Sequence, residues 1–385
     1  MPLVTFYHEA HQPFRLSPSS DPNKFLWDKM NREVYQKVAK KCYIPATKML
    51  TQVIKDNPEF RVCLSFSGTL IEQSKMYKKD DSGKNVYDII PLLQGLYEAG
   101  KTTNPDGKQV RRVEYLDETS HHSLAGLFED PEKAEFRKQI EMHSDMMIKL
   151  FGEKPTSFRN TELMYNNEIA KIVSELGYKA ILCEQRTDMF TPRDGKKISS
   201  DAIFRAKDTN LIVIPRNREL SDDVAYRFND NPITTETYAH WISNISGESV
   251  MMGYDYEHIG EHVWEDKGIF EFWKHLPQAL RKYKNIELAN PTEIAEKFEH
   301  ANCPVVDIDP FSTSSWADTM RDIKGWVGNP VQVKLLKEIE NMEKPVKEAN
   351  GDLEKMWRYL TTSDTLYYLY QGVNTGNFEG VPKDD

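Results

Sequence analysis

The chain has 385 residues, with 60 acidic against 50 basic side chains, a formal charge of −10, and 39% hydrophobic and 29% charged residues. This is an ordinary globular composition, and its diffuse negative field disfavours nucleic acid, anionic membranes and polyphosphate substrates without opposing a neutral sugar. The length suits one enlarged barrel, or a barrel of about 250 residues with an accessory part.

The elements follow in chain order. Residues 3–8 read as a strand that opens into His8-Glu9-Ala10-His11-Gln12-Pro13. Residues 33–53 carry apolar positions at helical spacing. Residues 60–66 are a second strand, emptying into Ser67-Gly68-Thr69, and residues 87–99 are helical up to Gly100. Asn104-Pro105-Asp106-Gly107 marks a turn. A third strand, 113–116, ends in Asp117-Glu118, and Ser120-His121-His122-Ser123 follows. The spacing predicts helices over 133–151 and 167–176, stopped by Gly152 and Gly177. Between them a short strand ends near Glu162. Strands at 178–183, 211–215 and 249–254 meet Glu184, Arg216-Asn217-Arg218 and Asp255-Tyr256-Glu257 at their ends. Residues 286–288 read as a further edge strand. Segment 188–200 is a loop, and 331–339 and 353–370 are helical. The tail, 372–385, is expected to fray.

Seven strands with intervening helices predict an α/β chain, an incomplete (β/α)7 TIM-like barrel over residues 1–300. A mainly helical region, 301–385, is expected to pack against it. A strand wrapped by helices is buried on both faces, so charge belongs at its ends. Carboxylates at the same end of successive strands describe the active rim of a barrel. Two of them facing one pocket can break a glycosidic bond. Glu162 and Asp255 are such a pair, 93 positions apart. Each also has a plainer reading. Glu162 suits a helix N-terminus or an ion pair with Arg159, and Asp255 suits a helix cap or a rim salt bridge. His11 and Gln12 suit sugar hydroxyls, whereas His8 and His11, with Asp255 or the His121-His122 pair, would suit a metal. The sequence leaves these alternatives open.

Other classes are excluded more simply. There is no phosphate-binding glycine loop, no dinucleotide fingerprint, no nucleophile elbow and no His-Glu-x-x-His. Apolar runs fall far short of the roughly 20 residues needed to span a bilayer. The first strand is expected to begin almost at Met1, without a signal-peptide pattern. Cys42, Cys63, Cys183 and Cys303 are scattered, without metal spacing. The expected location is therefore cytoplasmic, with reduced thiols.

The ordered combination of motifs resembles glycoside hydrolase family 57, particularly its shorter α-amylase-like members. The match runs from His11-Gln12-Pro13, through Glu118 and His122 in Glu-Thr-Ser-His-His-Ser-Leu, to Phe158-Arg159-Asn160-Thr161-Glu162-Leu163. It continues in Asp255-Tyr256-Glu257-His258-Ile259-Gly260-Glu261-His262, in Ser315-Trp316-Ala317-Asp318 and in Arg358-Tyr359-Leu360-Thr361-Thr362-Ser363-Asp364. The resemblance implies retaining chemistry on α-glucans without a catalytic metal or other cofactor. It implies Glu162 as nucleophile and Asp255 as general acid/base, their carboxyl groups about 5–6 Å apart. His11, Gln12, Glu118, His122, Glu184, Arg216, Tyr256, Trp316 and Asp318 are the expected substrate-binding residues. The substrate expected is starch, glycogen or a maltooligosaccharide, with no nucleic-acid or membrane partner and self-association left open. The chain lacks a long β-rich extension, which favours hydrolysis. The alternatives are a 4-α-glucanotransferase, a metal-dependent polysaccharide deacetylase or mannosidase, and a glucan-binding protein without turnover.

Overall fold

A computed structural model describes residues 1–19, 21, 24–103, 107, 109–186, 201–317, 320–349 and 351–371. The predicted loop 188–200, the Asn104-Pro105-Asp106 turn, Asp318 and the tail 372–385 lie outside the described residues.

All seven predicted strands form. They are β1 (Leu3–Ala10), β2 (Val62–Phe66), β3 (Val113–Tyr115), β4 (Ser157–Arg159), β5 (Ala180–Glu184), β6 (Ile212–Arg216) and β7 (Ser249–Asp255). Neighbours in sequence are neighbours in the sheet and run parallel, and β7 returns to β1 over seven paired positions, Leu3↔Ser249 to Glu9↔Asp255. Two junctions are thin. β6 and β7 share one paired position, Arg216↔Met251. β3 and β4 meet only at the bridge Asp117↔Phe158, where Asp117 N donates to Ser157 O (3.0 Å) and Arg159 N donates to Asp117 O (2.9 Å). Behind that seam the Asp117 carboxylate takes hydrogen bonds from His143 Nδ1, Ser144 Oγ and Tyr178 Oη. The result is an incompletely closed, barrel-like α/β sheet with a helical region. Short strands extend it. Phe204–Ala206 runs antiparallel on β6, Val305–Val306 pairs with that piece, and the strand expected over 286–288 forms as Glu287–Leu288, paired with β1.

Every residue of β1, β2, β5 and β6 is buried. Their side chains alternate between two apolar environments, the period of a pleated strand. Tyr7, Cys63, Leu182, Ile214 and Met251 fill the interior. Val4, Phe6, Leu64, Val250 and Met252 point outward to helices such as Ile269–Leu280 and Ile44–Asp56. All four cysteines are buried.

The helix predicted over 33–53 is longer and interrupted. Asp28–Val38 passes through a π-helical turn, Ala39–Tyr43, into Ile44–Asp56. Pro45 has no N–H to return to the preceding turn, and the chain widens there. Beyond the strand mouth expected at Ser67-Gly68-Thr69, residues Gly68–Tyr77 form a helix capped by Ser67, whose Oγ accepts from Leu70 N (3.3 Å). Gly68 permits it: a Cβ there would come within 2.7 Å of the Ser120 carbonyl oxygen. Helices Arg218–Ala225, Thr235–Ser243 and Pro291–Phe298 complete the wrapping. The helix predicted over 353–370 is in fact two, Asp352–Leu360 and Ser363–Tyr367, because Thr362 adopts extended backbone (φ −60°, ψ 139°). Among the described residues, no helix is long and apolar enough to cross a membrane.

Candidate active site

The parallel strands deliver polar side chains to one end of the sheet. Glu9 of β1 stands beside Asp255 of β7 on one side and Ser65 of β2 on the other. Arg159 closes β4 and is fully buried. Its Nη2 donates to Glu9 Oε2, and its Nη1 lies 3.5 Å from Glu118 Oε2 and 3.2 Å from His122 Nδ1. Ser65 Oγ donates to Glu118 Oε2 (2.9 Å). Across the rim, Arg216 of β6 pairs with Glu184 of β5 (3.1 Å) and with Asp222 (2.8 Å). Each guanidinium neutralises buried carboxylates that would otherwise be costly to desolvate.

Above this floor, Glu162 sits in the turn Thr161–Leu163 with φ 55° and ψ 26°, and Leu163 follows at φ 52°. Left-handed backbone at a glutamate and a leucine costs on the order of 1–3 kcal/mol each, a strain found where a side chain must be aimed. Three groups receive the carboxylate. Ser363 Oγ donates to Oε1 (2.8 Å), His122 Nε2 lies 3.3 Å from Oε1, and Trp316 Nε1 donates to Oε2 (2.7 Å). Burial pushes the Glu162 pKa up. The hydrogen bond and charge of His122, the charge of Arg159 and the Trp316 hydrogen bond outweigh it and hold the group at about 2.

Asp255 goes the other way. Burial first, and then the negative charge of Glu162, raise its pKa to about 6 against the pull of Arg159, Arg216 and His11. Its backbone carbonyl accepts from His258 Nδ1 (3.1 Å). One carboxyl is thus kept ionised and its neighbour protonated in weakly acidic solution. That is how an acid/base pair divides its roles.

Most of the residues singled out in the sequence meet here. His11 bonds Ser67 Oγ through Nδ1 (2.7 Å), places Nε2 3.1 Å from Asp364 Oδ2, and stacks on His122 with ring centres 4.1 Å apart. Glu118, His122, Glu184, Arg216 and Trp316 occupy the floor and wall already described. Two expected sugar contacts are placed elsewhere. Gln12 is buried, its Oε1 without a partner and its carbonyl oxygen taken by Gln73 Nε2 (2.9 Å). Tyr256 packs in the core on Tyr43 and shares a hydrogen bond with Thr47 Oγ1 (2.9 Å). Both residues directly follow a cleft residue, and the next side chain along a turn points inward.

The metal set built on His8 is not assembled. His8 faces the helical layer, its ring 4.8 Å from Trp273 and 5.4 Å from Tyr254, and burial lowers its pKa to about 3. His121 turns to Gln139 (3.1 Å) and Tyr359. Among the described residues, one group has metal-like spacing, Glu9, Glu118 and His122, with ligand atoms within 4.8 Å of one another. The Arg159 guanidinium already contacts all three and supplies the positive charge there.

Sequence reasoning missed Glu9, Ser363 and Asp364 as site residues. Glu9 did leave a signal, since it is a lone acid inside an otherwise uncharged strand buried on both faces. Ser363 and Asp364 left none beyond the resemblance.

A barrel-like α/β sheet with carboxylates gathered at one rim is the arrangement of a barrel enzyme whose active site lies at that rim. Residues 5–308 match the family model for glycosyl hydrolase family 57. A protein of Methanocaldococcus jannaschii named "Putative alpha-amylase" is 36% identical over 386 residues, covering 95% of this chain and 76% of its own length. The chain belongs to glycosyl hydrolase family 57. Two solved structures share the fold. The GH57-type branching enzyme of Pyrococcus horikoshii has a TM-score of 0.69 at 15% identity, over 96% of this chain and 85% of that one. The 4-alpha-glucanotransferase of Thermococcus litoralis has a TM-score of 0.57 at 18% identity, over 94% of this chain. This chain spans only 46% of that protein.

Proposed function

We propose that this protein cleaves α-1,4-glucosidic bonds of starch, glycogen or maltooligosaccharides with retention of configuration. Glu162 attacks the anomeric carbon while Asp255 gives its proton to the departing oxygen. Asp255, now ionised, takes a proton from the incoming hydroxyl as the glycosyl–Glu162 bond breaks. The observation that supports this most is the setting of Glu162 at the rim, held by Ser363, His122 and Trp316, while burial and the Glu162 charge raise the pKa of Asp255. Residues 1–300 would carry the chemistry and 301–385 would complete the cleft. The scattered, buried cysteines suit a reducing, cytoplasmic setting.

The acceptor is the finer question. The names of the two solved neighbours favour a sugar hydroxyl, and transfer between glucan chains is the reading we put first. Hydrolysis is second, suggested by the name of the Methanocaldococcus jannaschii relative. Product analysis on maltooligosaccharides and soluble starch, with anomers followed by NMR and with EDTA in a parallel sample, separates them. Transfer yields both longer and shorter chains, and hydrolysis yields only shorter ones. Silence on both substrates would overturn the proposal. Loss of activity in EDTA, restored by zinc, would move it to the metal-dependent reading.

The pH profile follows from the two carboxyls. The reactive form has Glu162 ionised and Asp255 protonated. It predominates between about pH 2 and about pH 6 and declines as pH rises through the Asp255 pKa. The expected kcat/KM therefore falls about tenfold per pH unit above that point. A plateau extending to pH 9 would contradict the assignment.

A further inference from the structure

The double displacement proposed above handles a second sugar at two moments, as leaving group and, in transfer, as acceptor. Both times that sugar lies on the side of the scissile bond where Asp255 moves the proton. An exposed aromatic near Asp255, among the described residues, is Tyr226, which caps the C-terminus of the helix Arg218–Ala225, its N donating to Asp222 O (2.9 Å). Its ring meets the His258 ring at 88°, centres 5.5 Å apart, and His258 Nδ1 is itself bonded to the Asp255 carbonyl. The ring is thus fixed from behind relative to Asp255, yet Tyr226 remains 51% exposed.

His258 Nδ1 also lies 3.8 Å from Asp255 Oδ2, which sets the Tyr226 ring beside that carboxyl. Partial burial first, and then the charge of Asp255, raise the Tyr226 pKa against Arg216 and Arg321. Trp316 offers no equivalent. Its indole N–H is committed to Glu162, and the Arg159 and Arg216 guanidinium carbons lie 5.3 and 5.8 Å from its ring centre. Flat apolar rings with one wet face are the surfaces on which the C–H face of a glucosyl unit packs.

We propose that Tyr226 is the stacking wall of the leaving-group and acceptor subsite, holding a glucosyl residue of an α-glucan against the Asp255 side of the cleft. It is a specificity-determining residue for the reaction, and the inference rests on the glucan reading above. It gives transfer a physical basis, because a sugar held there meets the glycosyl–enzyme at the place where water would otherwise attack.

The test uses donors that differ only in what the leaving group can touch. With α-maltosyl fluoride the leaving group is a single fluoride and cannot reach the ring, whereas maltoheptaose leaves a sugar against it. Tyr226→Ala is expected to lower kcat/KM on maltoheptaose about tenfold and to raise the half-saturating concentration of a maltose acceptor by a similar factor. Formation of the glycosyl–enzyme from α-maltosyl fluoride should stay within about twofold of the wild type. Tyr226→Phe and Tyr226→Trp keep a ring and should restore both glucan parameters. Equal losses on the fluoride and on maltoheptaose would overturn the inference, as would a Tyr226→Ala protein unchanged on both. A Tyr226→Phe protein as poor as Tyr226→Ala would also overturn it, in favour of a role for the hydroxyl. A wild-type protein that processes neither donor would remove the glucan reading itself. Wild-type turnover with no selective Tyr226 effect removes the subsite alone.

Discussion

Glu162→Ala is expected to lower glucan turnover by about 10⁴-fold or more, because in the proposed mechanism Glu162 forms the covalent intermediate. The carboxylate is ionised, and Ser363, His122 and Trp316 all direct hydrogen bonds at it. Glu162→Gln should fail as badly while keeping much of that geometry, since it lacks the anion. Azide added to the alanine variant can enter the vacated space and displace the leaving group in one step, giving a product of inverted configuration by NMR. The variant carries a second signature. The Glu162 charge raises the Asp255 pKa, so removing it should shift the Asp255 carboxyl titration downward in an NMR experiment. Near-normal starch turnover in either variant would show that the nucleophile lies elsewhere.

Asp255→Ala should fail at a different point. Starch has a poor leaving group and needs the proton, so its turnover is expected to fall about 10²- to 10⁴-fold. A donor such as α-maltosyl fluoride needs little protonation, and its first step should survive far better. The second step then lacks its base, and the glycosyl–enzyme should accumulate as a burst followed by slow release. Azide needs no base. It should speed that release and give a product of retained configuration, the opposite of the Glu162→Ala outcome. If the two variants exchanged these signatures, the nucleophile and acid/base roles would be exchanged as well. The Tyr226→Ala variant differs from both, since it should leave formation of the glycosyl–enzyme from the fluoride intact.

The strands and most rim residues were legible because the cause is local. A strand buried on both faces reads as an apolar run, and the first charged residue after it marks the rim. That reasoning places Glu118, Glu162, Glu184, Arg216 and Asp255 at the same end of the sheet before any pairing is known. Glycine stops were legible for the same reason. Gly152 has φ 86° and Gly177 φ 87°, a left-handed backbone that few other residues adopt. Gln12 and Tyr256 were misplaced because adjacency in a motif does not determine which way a turn directs each side chain.

What the sequence determined alone was therefore the set of strands, their order and the chemistry at their mouths, all set by burial pattern and backbone preference over a few residues. The tertiary structure decided which distant groups complete the site. Arg159 could have paired with Glu162, three residues away, but packing sends its guanidinium to Glu9, 150 positions distant. Helical periodicity continued through Thr361 and Thr362. In the fold, Leu124 N donates to Thr361 O (2.8 Å) and Ser363 N donates to His122 O (3.0 Å). Those backbone bonds to the His122 loop break the helix and turn Ser363 onto Glu162, 201 positions away, and Asp364 onto His11. Local propensity differs by only tenths of a kcal/mol per residue. Satisfying buried backbone groups is worth about 1 kcal/mol or more each, so where the two disagree the long-range partner wins.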